Sequence, residues 1–231
     1  MPSEAITGSI ILDNNHKQEE EFTMKKLSTA GCCVIIVLAI AVQPSFAQDD
    51  AMQFGVKAGL NLANVSTDPD PEGFSFDAVT KFGAGGIMLY PLSEVLDLQV
   101  EAMYLLKGTK AEFDFLGTVF EMELNLAYLS VPVMVRYNLG SEDTSPYIVV
   151  GPEFGFLLSA KSKFDGEEVD VKDDFKSLDL GLNIGAGVSM NMGATPMFGE
   201  VRYSLGLSNI EDNNDSTTKT TGIQLFVGMM F

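Results

Sequence analysis

Histidine, cysteine and tryptophan are almost absent from this chain of 231 residues. The one histidine is His16, the two cysteines are the adjacent Cys32 and Cys33, and tryptophan does not occur. From Gln48 onward there is neither histidine nor cysteine, so that part can form no disulfide, zinc site or common nucleophile–base pair. We therefore expect a protein that is not an enzyme and that has no catalytic residues, cofactor or metal.

Basic residues are also scarce. Lysine and arginine number 14 against 32 aspartates and glutamates, which gives a formal net charge of −18. Nucleic acid binding needs clustered basic residues, so the composition argues against it. The acidic stretches lack the ligand spacing of a calcium-binding EF-hand loop. We interpret them as solvated loops.

Long apolar runs are missing apart from residues 33–42, and a spanning helix needs about 20 apolar residues. This short run follows the basic stretch that begins at Met24 and precedes the small residues around Ala47. Such an order is typical of a secretory signal, with cleavage between Ala47 and Gln48. The sequence thus predicts three segments: a spurious or disordered extension (1–23), a signal peptide for export through the inner membrane (24–47) and the mature domain (48–231).

Beyond residue 47, apolar and polar residues alternate with the period of two that is typical of β-strands. The clearest example is Leu96-Asp97-Leu98-Gln99-Val100-Glu101. Pro132 and Pro152 interrupt two of the segments, where each removes a ladder hydrogen bond and where a bulge is one explanation. The predicted strands are 54–62, 78–91, 96–107, 121–138, 146–162, 178–189, 200–207 and 223–231.

The connections between these eight strands alternate in length. The long ones are 66–77, 111–119, 162–175 and 209–219, and the short ones are 91–94, 139–146 and 191–196. An even number of strands with alternating connections is the form of an outer-membrane barrel, whose long connections face outside the cell. We predict an all-β fold, an eight-stranded antiparallel up-and-down transmembrane β-barrel.

The polar face of the strands mixes glycine with charges of both signs. Arginine or lysine facing lipid near the midplane would cost about 2–4 kcal/mol, so the apolar face should point outward. Tyr90, Tyr137 and Tyr147, near the short connections, predict an aromatic girdle. Lys107 and Lys161 are expected inside the barrel as well. We predict a lumen charge network of Lys57, Glu101, Arg136, Glu153, Glu200 and Arg202, which fills the narrow lumen more readily than it lines a selective pore.

Alternation alone also fits a soluble barrel with its apolar side inward, as in a lipocalin-like binder. The predicted export, the alternating connections and the last strand favour the membrane form. That strand ends on an aromatic residue with apolar residues at every second position before it. This spacing resembles the signal that the outer-membrane barrel assembly machinery recognises. The predicted assembly signal is Ile223, Leu225, Val227, Met229 and Phe231.

Several short motifs recur in a familiar order. They include 55–64 (GVKAGLNLAN), 129–132 (LSVP), 157–161 (LLSAK) and 202–210 (RYSLGLSNI). Together they resemble the PorT-like outer-membrane β-barrel family, often labelled porin family proteins, over nearly all of 52–231. The resemblance implies an outer-membrane location. Its named member is associated with protein secretion and gliding, but most members have no assigned activity.

These observations predict a bacterial outer-membrane protein with a structural or surface-interaction role. Its expected partners are outer-membrane lipid, lipopolysaccharide and the barrel assembly machinery. One alternative is a small passive pore or a component of an outer-membrane transport or secretion system, suggested by the many inward glycines. A second alternative is the soluble periplasmic lipocalin-like binder.

Overall fold

A computed structural model describes residues 52–68, 74–115, 118–140, 144–164, 166–192, 195–212 and 217–231. The predicted extension (1–23), the predicted signal peptide (24–47) and its cleavage site at Ala47 and Gln48 lie outside these residues. Among the residues described, no helix has the length and apolarity needed to cross a membrane.

Ten strands and one short 3₁₀-helix, Lys172–Asp174, make up the described chain. All strand pairs are antiparallel. Eight of the ten strands form a ring in the order β1-β3-β4-β5-β6-β8-β9-β10, and the ring closes because β10 pairs with β1. The predicted eight-stranded barrel is confirmed. The strands are β1 (Gln53–Asp68), β2 (Phe74–Asp77), β3 (Val79–Pro91), β4 (Leu96–Phe115), β5 (Thr118–Asn138), β6 (Thr144–Phe164), β7 (Glu167–Asp170), β8 (Leu178–Met192), β9 (Thr195–Gly206) and β10 (Thr217–Met230).

The register fixes the width of the barrel. The stagger of the strands is found by stepping from each residue to its neighbour on the next strand. Starting at Gln53, this path goes once around the ring through Leu89, Gln99, Met134, Gly151, Asn183, Ser204 and Gly222 to Ala63. The path returns to β1 ten residues further along. With a rise of about 3.3 Å per residue and strands about 4.8 Å apart, this stagger gives a tilt of about 41° and a backbone radius of about 8 Å. Such a lumen has room for side chains and little else.

The outer surface of the ring is apolar, as the alternation predicted. Val56, Phe82, Ile148, Val201 and Val227 are all exposed, whereas charged residues at the same height of the ring, such as Lys57, Glu153 and Arg202, are buried. The outward run of β4 from Leu96 to Leu106 advances by ten residue steps. At about 2.5 Å per residue along the axis it spans about 25 Å, the height of the apolar band of membrane barrels. A soluble lipocalin-like barrel would have the opposite orientation.

Two of the three predicted girdle tyrosines occupy the edge of this band. Tyr90 and Tyr137 face outward beside the short connections. Tyr147 does not, because its ring lies in the lumen with an exposure of 1%. Its prediction was wrong because Tyr147 belongs to the inward-facing set of β6, and nearness to a short connection does not decide the face.

The strands β4, β5 and β6 are longer than predicted. The connection expected at 111–119 is mostly strand, since β4 ends at Phe115 and β5 begins at Thr118. The connection expected at 162–175 contains β7 and the 3₁₀-helix. Here β2 pairs with β4 and β7 with β6, which gives a five-stranded sheet in the order β2-β4-β5-β6-β7. We call this sheet, formed by 74–77, 108–115, 118–126, 159–164 and 167–170, the overhang.

The two strand prolines coincide with gaps in the ladders and not with bulges. The β4–β5 ladder skips 131–132 at Pro132, and the β5–β6 ladder skips 151–152 at Pro152. The register is the same on both sides of each gap. A proline has no N–H to donate, so pairing is interrupted there without a shift.

A bulge does occur elsewhere in the β5–β6 pair, between Ala127 and Tyr128. One extra residue in β6 reverses the inward and outward sides beyond it. Ala160 is consequently buried, and Lys161, which was expected inside, is exposed and forms an ion pair with Glu168.

Candidate functional site

A neutral group of four charges occupies the middle of the lumen. Lys57 Nζ lies 2.8 Å from Glu101 Oε1 and 3.2 Å from Glu200 Oε1. Arg202 Nη2 lies 2.8 Å from Glu101 Oε1 and also pairs with Glu200. All four side chains are buried. Two cations thus balance two carboxylates where an unpaired charge would be strongly destabilising.

Neutral side chains hold these carboxylates in place. Gln99 Nε2 donates to Glu101 Oε1 at 2.6 Å and to Glu200 Oε2 at 3.2 Å. The Tyr147 hydroxyl donates to Glu200 Oε2 at 3.3 Å. The ring of Phe226 lies 4.2 Å from the ammonium of Lys57, within cation–π distance. The four charges are therefore fixed by contacts from several strands.

A second cluster lies nearer the long connections, around Lys107. Its Nζ is 2.9 Å from Glu153 Oε1 and 3.1 Å from Asp179 Oδ2. Asn183 Nδ2 donates to Glu153 Oε2 at 2.7 Å, and the Thr220 hydroxyl donates to Asp179 Oδ2 at 2.9 Å. Asp179 was missing from the predicted network, although its position between Leu178 and Leu180 marks it as inward-facing.

Arg136 lies apart from both clusters, at the end of the short connections. Its guanidinium carbon is 3.6 Å from the ring centroid of Tyr147. Its Nε donates to Asn138 Oδ1 at 2.9 Å, and its Nη2 donates to Ser189 Oγ at 2.8 Å. Of the six predicted lumen residues, the structure joins Lys57, Glu101, Glu200 and Arg202. It places Glu153 with Lys107, and Arg136 at the rim.

Apolar side chains close the lumen on both sides of the charges. The layer at the short connections, which we call the lower seal, consists of Ile87, Leu89, Met134, Tyr147, Val149, Phe198 and Met230. At the other end Leu126, Tyr128, Leu157, Ala160 and Ile210 form an upper seal, with Val171 and Phe175 packed against it. Ile210 comes from a long connection and is completely buried, so a loop residue caps the barrel mouth.

The inward glycines do not leave a channel. A Cβ atom added at Gly187 would overlap the ring of Tyr147, and one added at Gly228 would overlap the ring of Phe198. At these two positions glycine makes room for aromatic rings of the lower seal. The suggestion that inward glycines indicate a pore therefore loses its structural basis at these positions.

The predicted assembly signal faces the lipid at the seam of the ring. Ile223, Leu225, Val227, Met229 and Phe231 are all exposed. The Phe231 amide donates to the Phe54 carbonyl at 2.8 Å, which extends the β1–β10 ladder to the last residue. Recognition of this segment by the assembly machinery remains a prediction. In the part of the chain that the structure describes, no group of three or more histidines, cysteines, aspartates or glutamates is arranged to hold a metal ion.

A closed ring of eight tilted strands, apolar outside and charged within, defines the protein as a transmembrane β-barrel. The chain belongs to the outer membrane protein beta-barrel domain family, whose family model matches residues 46–212. This membership places the protein in the bacterial outer membrane. Membership of the PorT-like group remains a prediction.

The solved structures that are similar to this chain share little sequence with it. Ail, the attachment invasion locus protein of Yersinia pestis, is 16% identical over 78% of this chain and 98% of its own, with a TM-score of 0.42. Neisserial surface protein A is 14% identical over 78% and 99%, with a TM-score of 0.45. The outer membrane enzyme PagL is 15% identical over 75% and 97%, with a TM-score of 0.33. No curated protein shows significant similarity to the chain.

Proposed function

We propose that this protein is a non-enzymatic outer-membrane barrel that acts through its outer surface and not through its lumen. The observation that carries the proposal is the lumen itself. Two apolar seals enclose two charge clusters, and the side chains of the central group are at most 1% exposed. In such an arrangement each charge serves to compensate its buried partner within a closed barrel.

The overhang is the feature that a surface role would use. From 118 to 126 of β5, at about 2.5 Å per residue, it extends about 20 Å beyond the lipid band. The short connections of membrane barrels face the periplasm and the long ones face outside. The overhang then lies outside the cell, where it meets lipopolysaccharide and other surface molecules. Delivery to the membrane would depend on the assembly machinery and on the segment that ends at Phe231.

Two further parts of the proposal rest on sequence. The absence of histidine and cysteine beyond Gln48 supports a role without catalysis. The ordered motifs, among them 55–64 and 202–210, support a place in the PorT-like group. We do not extend the proposal to the secretion role of that group's named member, because the lumen contacts offer no route for a polypeptide.

Planar bilayer recording tests the closed lumen. The purified, refolded protein should give no steady conductance. A variant with Phe198→Ala, Tyr147→Ala and Ile210→Ser removes side chains from both seals and should leak, which shows that the assay detects an open lumen. A reproducible open channel in the unmodified protein would refute the proposal in favour of the passive pore.

A further inference from the structure

One face of the overhang is apolar and lies outside the lipid band. Directly paired residues share a face, and Met122 pairs with Phe164 while Leu124 pairs with Ser162 and Ser162 with Val169. The rings of Phe120 and Phe164 are stacked, with centroids 6.1 Å apart. Leu124 packs on the upper seal, so an apolar strip runs from the barrel mouth to the tip of the sheet.

The outer part of this strip is uncovered among the residues described. Phe164 is 42% exposed and Val169 is 60% exposed. Neither can be covered by lipid tails, because both lie beyond the apolar band. Beside them is a hollow of about 530 Å³ whose lining includes Phe120, Phe164 and Gly166. Exposed aromatic and aliphatic side chains next to a hollow are a common feature of interaction sites.

Strand β7 gives this face a free edge. Among the described strands it pairs only with β6, and its four residues are exposed. An edge strand can accept an extended segment of another chain through its main-chain groups. The side chains of an added strand would alternate between the apolar face beside Val169 and the opposite face beside Glu168 and Asp170.

The charge around the edge is acidic. Residues 161–176, which include the neighbouring end of β6, hold six acidic residues, namely Asp165, Glu167, Glu168, Asp170, Asp173 and Asp174, against four lysines, namely Lys161, Lys163, Lys172 and Lys176. Lys161 pairs with Glu168, but no ion pair of the described residues neutralises Glu167. The remaining net negative charge favours cationic over anionic ligands at this edge.

From the strip, the edge and its net negative charge together, we infer that the overhang binds an extended basic polypeptide segment that adds to β7. Alternate residues of the segment are apolar and contact Val169, and the others are basic and face the carboxylates. The inference rests on the proposed surface role and names the kind of partner.

Peptide binding to the full-length protein in nanodiscs tests this inference. The probes are an alternating lysine–valine decapeptide, the matching glutamate–valine peptide, and a lysine–valine peptide that is N-methylated at alternate residues. The lysine peptide should bind, and the glutamate peptide should not. Methylation should weaken binding at least about tenfold, because it removes the main-chain donors. Equal binding of the lysine and glutamate peptides, or unchanged binding after methylation, would overturn the inference.

Variants locate the site. Asp170→Lys, on the face that meets the lysines of the peptide, should weaken lysine-peptide binding about fivefold, and Val169→Ser should also weaken it. Glu94→Lys makes the same charge change at an exposed position among the short connections and should have no effect. Heat-modifiable gel mobility checks that each variant is folded. If lipopolysaccharide binds at the overhang instead of the lysine peptide, the inference is wrong. Absence of peptide binding by a non-conducting barrel overturns this inference alone, whereas conductance overturns the proposed function.

Discussion

Replacement of Arg202 by methionine tests whether the lumen charges act as one balanced group. Methionine keeps an unbranched chain of similar length but removes the cation that pairs with Glu101 and Glu200. Lys57 then faces two buried carboxylates alone. Loss of one partner from a buried ion pair costs about 3–5 kcal/mol, mainly because the remaining charge is uncompensated. We expect Arg202→Met to lower the free energy of unfolding by that amount.

A second replacement should reverse most of the loss. In Arg202→Met/Glu200→Gln, Lys57 and Glu101 remain as a neutral pair. The glutamine oxygen can still accept from Gln99 and Tyr147, which now donate to Glu200. The matched control is Lys161→Met, which breaks a pair whose side chains are both 48% exposed. That exposed pair should contribute only about 0–1 kcal/mol.

The measurement is urea unfolding of the barrel in phospholipid vesicles, followed by the folded fraction on unheated gels. The order of stability should be unmodified protein and Lys161→Met, then the double variant, then Arg202→Met. Two results would refute the reasoning. Either Arg202→Met is as stable as Lys161→Met, or the double variant is less stable than Arg202→Met alone.

Two further predictions concern the lipid face and the bulge. Val201→Arg puts a charge near the middle of the apolar band and should cost about 2–4 kcal/mol in the same assay, whereas Leu207→Arg near its outer edge should cost about 0–1 kcal/mol; equal costs would contradict the band as we place it. In a background with Cys32→Ser and Cys33→Ser, a membrane-impermeant maleimide added to intact cells should label Lys161→Cys but not Ala160→Cys, since the bulge turns residue 161 outward. The reverse labelling pattern would show that the register continues without the bulge.

The inward and outward faces of the strands were predictable because alternate residues of each strand face two different environments, the lipid and the lumen. From Leu96 to Leu106 in β4 and from Met197 to Leu205 in β9, every outward residue is apolar and every buried charge lies on the other face. The sign of the alternation therefore follows from the cost of a charge in lipid. The partners of each charge were not predictable. Glu153 and Glu200 look alike in the sequence, and only the stagger of the ring places the first beside Lys107 and the second beside Arg202.

The strands of the overhang could have been recognised in the sequence, but their acidic composition favoured a loop. Residues 110–115 alternate as Lys-Ala-Glu-Phe-Asp-Phe, which is the pattern of a strand with one apolar face. The acidic composition favoured a loop instead, because strands in lipid carry no such charges on their outer face. Beyond the band this restriction disappears, so a strand can continue with a charged face and an apolar face.

The bulge at Ala127–Tyr128 had no comparable signal. Residues 154–161 alternate less clearly, with Leu157 and Leu158 adjacent, so a shift of one residue fits the sequence as well as an unbroken strand. The structure resolves the shift because Ala160 must pack on the upper seal. Lys161 then reaches Glu168 of β7, so the bulge also helps to hold the edge strand of the overhang.

The same strands build the closed barrel and the overhang, which constrains how a surface role can operate. In the β4–β5 ladder the pairing runs from Leu96 to Phe115 with one gap at Pro132, and no hinge separates the lipid-facing part from the tip. A partner that adds to β7 extends an existing sheet and needs no movement of Ile210 or of the charges below it. Binding at the tip and stability of the barrel should therefore be separable. Val169→Ser should reduce peptide binding without changing the urea midpoint. Arg202→Met should lower the urea midpoint without changing peptide binding.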